Sequence, residues 1–222
     1  MSQLKSAYDN YSGEISAAAK TVAANDSFEN NCHSAIIRAY EVILNKREYT
    51  LDLDETDYSK FLVRELQIIC RSFGYIVGRE AKHDKGFGPI KKGEANKDRP
   101  IDITFNTVHE ANLELKYYVE AKVLVVNNTK ARNANSLAKA YVTEGMNRFI
   151  MGVFDYIPGC MLGYLLNGEG NIAVQLVNNQ LRNEKRKKEQ LENKKIVSAF
   201  AETYISKHKK IPRLTHFMLK LG

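Results

Sequence analysis

A mixed α/β fold, with a central sheet flanked by helices, is the class predicted for this 222-residue chain. Three observations predict it. Helical apolar stripes and strand-like apolar runs follow one another in the order helix, strands, helix, strand, helix. No internal repeat and no linker rich in Pro, Gly or Ser divides the chain. At 44% hydrophobic and 27% charged residues, the composition is that of a globular chain able to build a core. A single domain is expected, with residues 1–57 as an N-terminal helical segment packed on a core of 58–222 that ends in a basic helical extension.

The elements follow in order. The first 25 residues run from polar to alanine-rich and suit a helix or a loosely held arm. From Asp26 to Lys46, residues Ala35, Ile36, Ala39, Tyr40 and Ile43 fall on one helical stripe. After the acidic break "TLDLDETDYS", Asp57 or Ser59 is expected to cap a helix through "YSKFLVRELQIICRSF". Its apolar face is Phe61, Leu62, Leu66, Ile69 and Cys70 or Phe73, and Gly74 closes it. "YIVGRE" reads as a short strand, and the basic, glycine-bearing "AKHDKGFGPIKKGEANKDRP" as a loop or loose hairpin. "IDITF" and "LKYYVEAKVLVV" are strands joined through "NTVHEAN". "NANSLAKAYVTEGMNRFIMGVF" carries Leu137, Tyr141, Phe149 and Val153 at helical intervals, and "GCMLGYLL" is a further strand. Asn171 to Ile205 reads as helical for most of its length, and "IPRLTHFMLKLG" as a closing edge strand.

The net charge of +7 favours polyanionic partners, nucleic acid first among them. The excess is uneven: Arg182 to Lys195 holds seven basic and three acidic residues, and no acid follows Glu202. Cys32, Cys70 and Cys160 are too few and scattered for a disulfide framework or thiolate metal site, which suits a reducing cytosol. No apolar run approaches the roughly 20 residues that span a bilayer. The opening "MSQLKSAYDNYSGEIS" has no signal-peptide core. A cytoplasmic location without a membrane partner is therefore expected.

One strand carries an anomaly. Glu120 and Lys122 stand in the middle of "YYVEAKVLVV" and point to the same face, with Ala121 opposite. Their neighbours Tyr118, Val119, Val123, Leu124, Val125 and Val126 belong to a strand buried on both faces, where a solvated ion pair is out of place. If the two strands form an antiparallel hairpin folding near Ala111 and Asn112, opposed positions sum to about 222, and Asp102 lies across from Glu120. Such pairs have Cβ atoms roughly 5 Å apart. Two carboxylates so placed raise each other's pKa unless a cation lies between them. Oxygen ligands at this spacing suit a hard divalent cation, Mg²⁺ or Mn²⁺, and the Ala121 carbonyl adds another oxygen. Lys122 can then orient an attacking water and offset transition-state charge. This is chemistry for hydrolysing a phosphodiester.

Asp102, then Glu120-Ala121-Lys122 on the next strand, with Arg99-Pro100 before them, resembles the PD-(D/E)XK nuclease superfamily, the restriction-endonuclease-like fold. Tyr58 to Leu166 follows that family's order of helix, three-stranded antiparallel meander, helix and strand. Ile101 splits the family's Pro-Asp pair here; Asp102 is preferred over Asp98 because it lies within the alternation Ile101, Ile103, Phe105. The resemblance implies a metal-dependent endonuclease acting on DNA, of the kind found in bacterial restriction or anti-phage loci. It implies Mg²⁺ or Mn²⁺ held by Asp102, Glu120, the Ala121 carbonyl and Glu65 of the preceding helix, with Lys122 positioning water. It also implies polar groups from the following helix, for which Lys139, Glu144 and Arg148 are candidates.

Lys82, Lys85, Lys91 and Lys92, with Lys139 and Arg148, are the expected nucleic-acid contacts. "GFGPIKKG" lacks the ending of a nucleotide P-loop. The five histidines have neither metal-ligand spacing nor a nucleophile partner. With no separate reader of sequence, a homodimer or a partner protein that supplies targeting is expected. The competing expectations are a nucleic-acid-binding or structural subunit that keeps the fold without cleaving, and an enzyme acting on RNA or a branched substrate.

Overall fold

The computed structural model describes residues 2–47, 49–80, 101–108, 114–154 and 157–222, with side chains from residue 24 onward except those of Glu80 and Val108. Seven strands build one mixed sheet. They are β1 (Ile76–Glu80), β2 (Ile101–Val108), β3 (Glu114–Leu124), β4 (Gly159–Leu165), β5 (Glu192–Ser198), β6 (Ala201–Ser206) and β7 (Leu214–Lys220). Their order across the sheet is β1-β2-β3-β4-β7-β6-β5. The first three form an antiparallel meander, β3, β4 and β7 run parallel, and β6 and β5 return antiparallel. The predicted α/β class with a mixed, helix-flanked sheet is therefore observed.

Helices cover both faces. On one side lie α1 (Ser2–Lys46) and α2 (Glu55–Cys70), whose Ala35, Ile36, Ala39, Tyr40, Leu62 and Leu66 share a core with Ile103, Phe105, Val119 and Ala121. On the other lie α3 (Ala134–Ala140), a π-helical segment (Tyr141–Met146), α4 (Asn147–Ile150) and α5 (Gly170–Asn183). Their Tyr141, Val142, Phe149 and Val177 pack with Tyr118, Leu124, Met161 and Met218. Alternation along β3 thus divides its side chains between two apolar layers.

α2 begins earlier than the expected Asp57 or Ser59 cap. Asp54 is the N-cap, its carboxylate accepting the Asp57 amide at 2.9 Å, so Glu55 becomes the first helical residue. Gly74 closes this segment at φ 70°, a left-handed conformation that glycine adopts without a Cβ penalty. Phe73 lies exposed, and Cys70 takes the apolar face.

Two expectations for the C-terminal third are corrected. The helix stops at Asn183, and most of the rest of the stretch to Ile205 forms the β5–β6 hairpin. The buried stripe Ala173, Val174, Val177, Leu181 has no apolar successor, because Glu184, Lys185 and Lys188 stand where it would continue. Lys185 then turns left-handed at φ 60°. Pairing with β7, a long-range contact, makes the strand. β5 forms the sheet edge and carries Lys194 and Lys195, residues that discourage edge-to-edge association. The second correction concerns β7, which lies between β4 and β6 and is no edge strand. Its "LTHFML" is buried residue after residue, the signature of a strand covered on both faces.

Behind β7 runs a buried polar chain. The Tyr141 hydroxyl meets His216 Nδ1 at 3.0 Å, and Ser206 Oγ lies 2.7 Å from both His216 Nε2 and His208 Nε2. Glu189 holds His208 Nδ1 at 2.7 Å. Burial pushes the His216 pKa down from 6.5 to about 3. Unfolded, the ring takes a proton below about 6.5, whereas the folded ring does not until about 3, so stability is lost as pH falls through that window. One such group contributes a slope of about 1.4 kcal/mol per pH unit. His216→Gln is expected to flatten the dependence of urea-unfolding stability between pH 6 and pH 4 by about that much; an unaltered slope would contradict the assignment. Among the described residues, no helix is long and apolar enough to cross a membrane.

Candidate active site

The β2–β3 register decides what meets what. Pairs run from Val108↔Glu114 to Ile103↔Val119, all opposed positions summing to 222, and one step further sets Asp102 opposite Glu120. There Asp102 Oδ2 accepts the Ala121 amide at 2.8 Å, the carboxylate standing in for a strand carbonyl. β3 lies between β2 and β4, which makes Glu120 (2% exposed) and Lys122 (5% exposed) interior groups. A solvated edge pair is thereby excluded.

Lys122 Nζ donates to Glu120 Oε1 at 2.9 Å, to Glu55 Oε1 at 2.8 Å and to the Ala121 carbonyl at 2.8 Å. The other Glu120 oxygen, Oε2, accepts from Arg148 Nη1 at 2.6 Å. The Arg148 guanidinium also lies 4.6 Å from the Phe154 ring centre. Arg148 stands on α4, directly after the π-helical segment, a distortion often found at functional positions. Gly145 makes the approach feasible: a Cβ there would come within 2.4 Å of Met161 Cε and 3.4 Å of Lys122 Cγ.

Charge balance follows from these contacts. Burial pushes the Glu120 carboxyl up to about 7, with Asp102 adding to the rise and Lys122 and Arg148 opposing it. Burial likewise raises Glu55 against the pull of Lys122. For Lys122 burial works downward, yet Glu120, Glu55 and Asp102 together hold its ammonium above the usual range. Three carboxyl groups, Asp102, Glu120 and Glu55, face two cations, Lys122 and Arg148, so that one negative charge is in excess when all three are ionised.

Of the residues expected from the sequence, Asp102, Glu120, Ala121 and Lys122 come together. Glu65 does not join them. It pairs with Lys46 at 2.8 Å and Arg64 at 2.9 Å, and lies ten positions along α2 from Glu55, roughly 15 Å at helical rise. Glu55 is the helix acid at the site. Its signal was Asp54-x-x-Asp57, an N-cap pattern that fixes the first helical residue. Arg148 is 3% exposed and held on Glu120, so its place is inside the site and not on a phosphate-facing surface. Lys139 is exposed on α3, and Glu144 is exposed near Glu55, whose pKa it helps raise. Lys82, Lys85, Lys91 and Lys92 lie outside the described residues, as do Asp98, Arg99 and Pro100.

The donor chemistry fits a hard divalent cation: carboxylate and carbonyl oxygens, with surplus negative charge. Among the described residues, no three His, Cys, Asp or Glu side chains already stand in a metal-holding group. The Lys122 ammonium explains why, since it occupies the point where Glu55, Glu120 and the Ala121 carbonyl converge. No protein-family model, curated protein or solved structure matches the chain. The fold and the site define a mixed-sheet α/β protein with a buried acid–lysine cluster at the end of its antiparallel meander.

Proposed function

We propose that this chain is a metal-dependent nuclease with a restriction-endonuclease-like core, hydrolysing phosphodiester bonds of DNA. The observation that carries the reading is the convergence of Asp102, Glu120, the Ala121 carbonyl and Lys122 where two strands part. The element order α2, β1–β3, α3–α4, β4 supports it as well. Asp102, Glu120 and the Ala121 carbonyl would hold Mg²⁺ or Mn²⁺, with Glu55 in place of Glu65. Such a cation supplies Lewis-acid polarisation of a phosphoryl oxygen and neutralises its charge. Lys122, turned from its acceptors toward the phosphate, orients the attacking water and offsets negative charge gained in the transition state. Arg148 holds Glu120 in its rotamer and opposes the rise that burial imposes on its carboxyl. The net charge of +7 suits a polyanionic substrate.

Glu55→Gln is expected to weaken Mn²⁺ binding by about tenfold, in the range seen for lost metal-site carboxylates, whereas Glu65→Gln leaves it within twofold. Calorimetric titration checks this, and the reverse ranking would restore Glu65 to the site. The functional test is cleavage of plasmid DNA, single-stranded DNA and RNA with Mg²⁺, Mn²⁺ or EDTA. Cleavage of plasmid that EDTA stops is the expected outcome.

A second reading has one observation in its favour. Both oxygens of Glu120 are already paired, an arrangement complete without metal. On that reading the chain binds nucleic acid through this fold without cutting it. Metal-independent binding with no cleavage under any of those conditions would select it.

A further inference from the structure

A second cleft lies on the opposite side of the sheet. It has a volume of about 510 Å³ and opens between α1 and the β5–β6–β7 end. Its floor includes Phe217, which packs with Ala121 in the α1-side core, whereas Lys122 points to the other face. Strand register sets Lys195, Thr203 and Phe217 in one row, running from the charged edge to the apolar interior. Ile37 and Ile205 complete an apolar surface beside Phe217.

The walls are basic. Arg38, Lys195 and Arg213 line the cleft, and among the described residues no carboxylate does. Glu29 holds Arg213 Nη2 at 2.8 Å from outside, which anchors a side chain still 52% exposed. His33 is neutral there, because burial pushes its pKa down to about 4, and the Tyr117 hydroxyl meets its Nε2. Ser34 and Thr203 add hydroxyl groups. The cleft volume lies within the range of about 300–1,000 Å³ typical of small-ligand sites.

From this combination we infer that the cleft binds a nucleotide, either free or as one unit of a single strand. The phosphate lies against Arg38, Lys195 and Arg213, and the base lies on Ile37 and Ile205, above the enclosed Phe217. Three cations on the cleft walls, against Glu29 and Asp26 beside Arg213, favour phosphate, and the apolar floor favours a base over a bare anion. This site is independent of the acid–lysine cluster.

The test is fluorescence titration of the full chain with a fluorescent ATP analogue and with 5′-labelled hexathymidylate, in EDTA so that no cation at the acid site contributes. Saturable binding is expected, with Kd raised at least tenfold by the double variant Arg38→Glu, Lys195→Glu. The charge-matched variant Lys187→Glu, Lys188→Glu should leave Kd within twofold, since those residues lie exposed beyond α5. Circular dichroism confirms that both are folded. ATP binding as tightly as the oligomer indicates a diffusible nucleotide, and a strong preference for the oligomer indicates a strand; either supports the site. Failure of both ligands to saturate, equal losses in the two double variants, or displacement by inorganic phosphate as efficient as by ATP would overturn it.

Discussion

Arg148→Ala is expected to destabilise the protein by about 3–5 kcal/mol at pH 8, the cost of removing one partner from a buried ion pair. Arg148 and Glu120 are almost wholly enclosed, with side chains 4% and 2% exposed, and their contact is 2.6 Å. Without the guanidinium, Lys122 alone faces Glu120, Glu55 and Asp102. The protein can relieve this by protonating Glu120, whose carboxyl burial already pushes up to about 7. That escape fixes the pH dependence. A carboxyl whose folded pKa exceeds its unfolded value opposes folding above the unfolded pKa, increasingly until pH passes the folded one. Losing Arg148 raises the folded pKa further, so the penalty deepens as pH climbs through 7 and beyond. At pH 5 the carboxyl is protonated in both proteins, leaving mainly lost packing and the contact with Phe154, about 1–2 kcal/mol. Guanidinium unfolding at pH 5 and pH 8 measures both. A pH-independent loss would show that Arg148 acts through packing alone.

Lys122→Ala is expected to lower the cleavage rate by about 10²–10³-fold, the effect of deleting one preorganised charge beside a reacting group. The same substitution is expected to tighten Mn²⁺ binding, because the ammonium bonds three of the oxygens the cation needs. Activity and metal affinity therefore move in opposite directions, which loss of a merely structural lysine would not produce. The metal-free variant also carries uncompensated buried carboxylates. Saturating Mn²⁺ should consequently raise its unfolding temperature more than that of the wild type. Weaker Mn²⁺ binding in the variant would contradict this account of Lys122.

Much of this site was legible before folding. Charges at Glu120 and Lys122 inside an apolar strand, and the alternation Ile101, Ile103, Phe105, sufficed for the face, and a hairpin supposed to fold near Ala111 and Asn112 supplied the register. Both are local, period-two signals that a one-residue slip would ruin. Glu55 was hidden because the helix cap was placed at Asp57 or Ser59, three or five residues past Asp54. Arg148 was expected both as a group turned to the site, where it lies, and as a phosphate contact, because sequence gives no measure of its burial on α4. The β5–β6 hairpin was hidden for another reason. Its lysine-rich run has no alternation of its own, and only pairing through β6 to β7 makes it a strand. The interior place of β7 was masked by Thr215 and His216, polar residues that break its apolar run yet are buried with it.

On the proposed reading, Asp102, Glu120 and Lys122 form a metal-dependent phosphodiesterase site. Plasmid cleavage in Mg²⁺ by the wild type and by Asp102→Ala, Glu120→Ala and Lys122→Ala tests it most directly. Cleavage by the wild type is expected to be abolished by EDTA and reduced at least a hundredfold by each substitution. Mg²⁺-dependent cleavage that survives all three substitutions would contradict it.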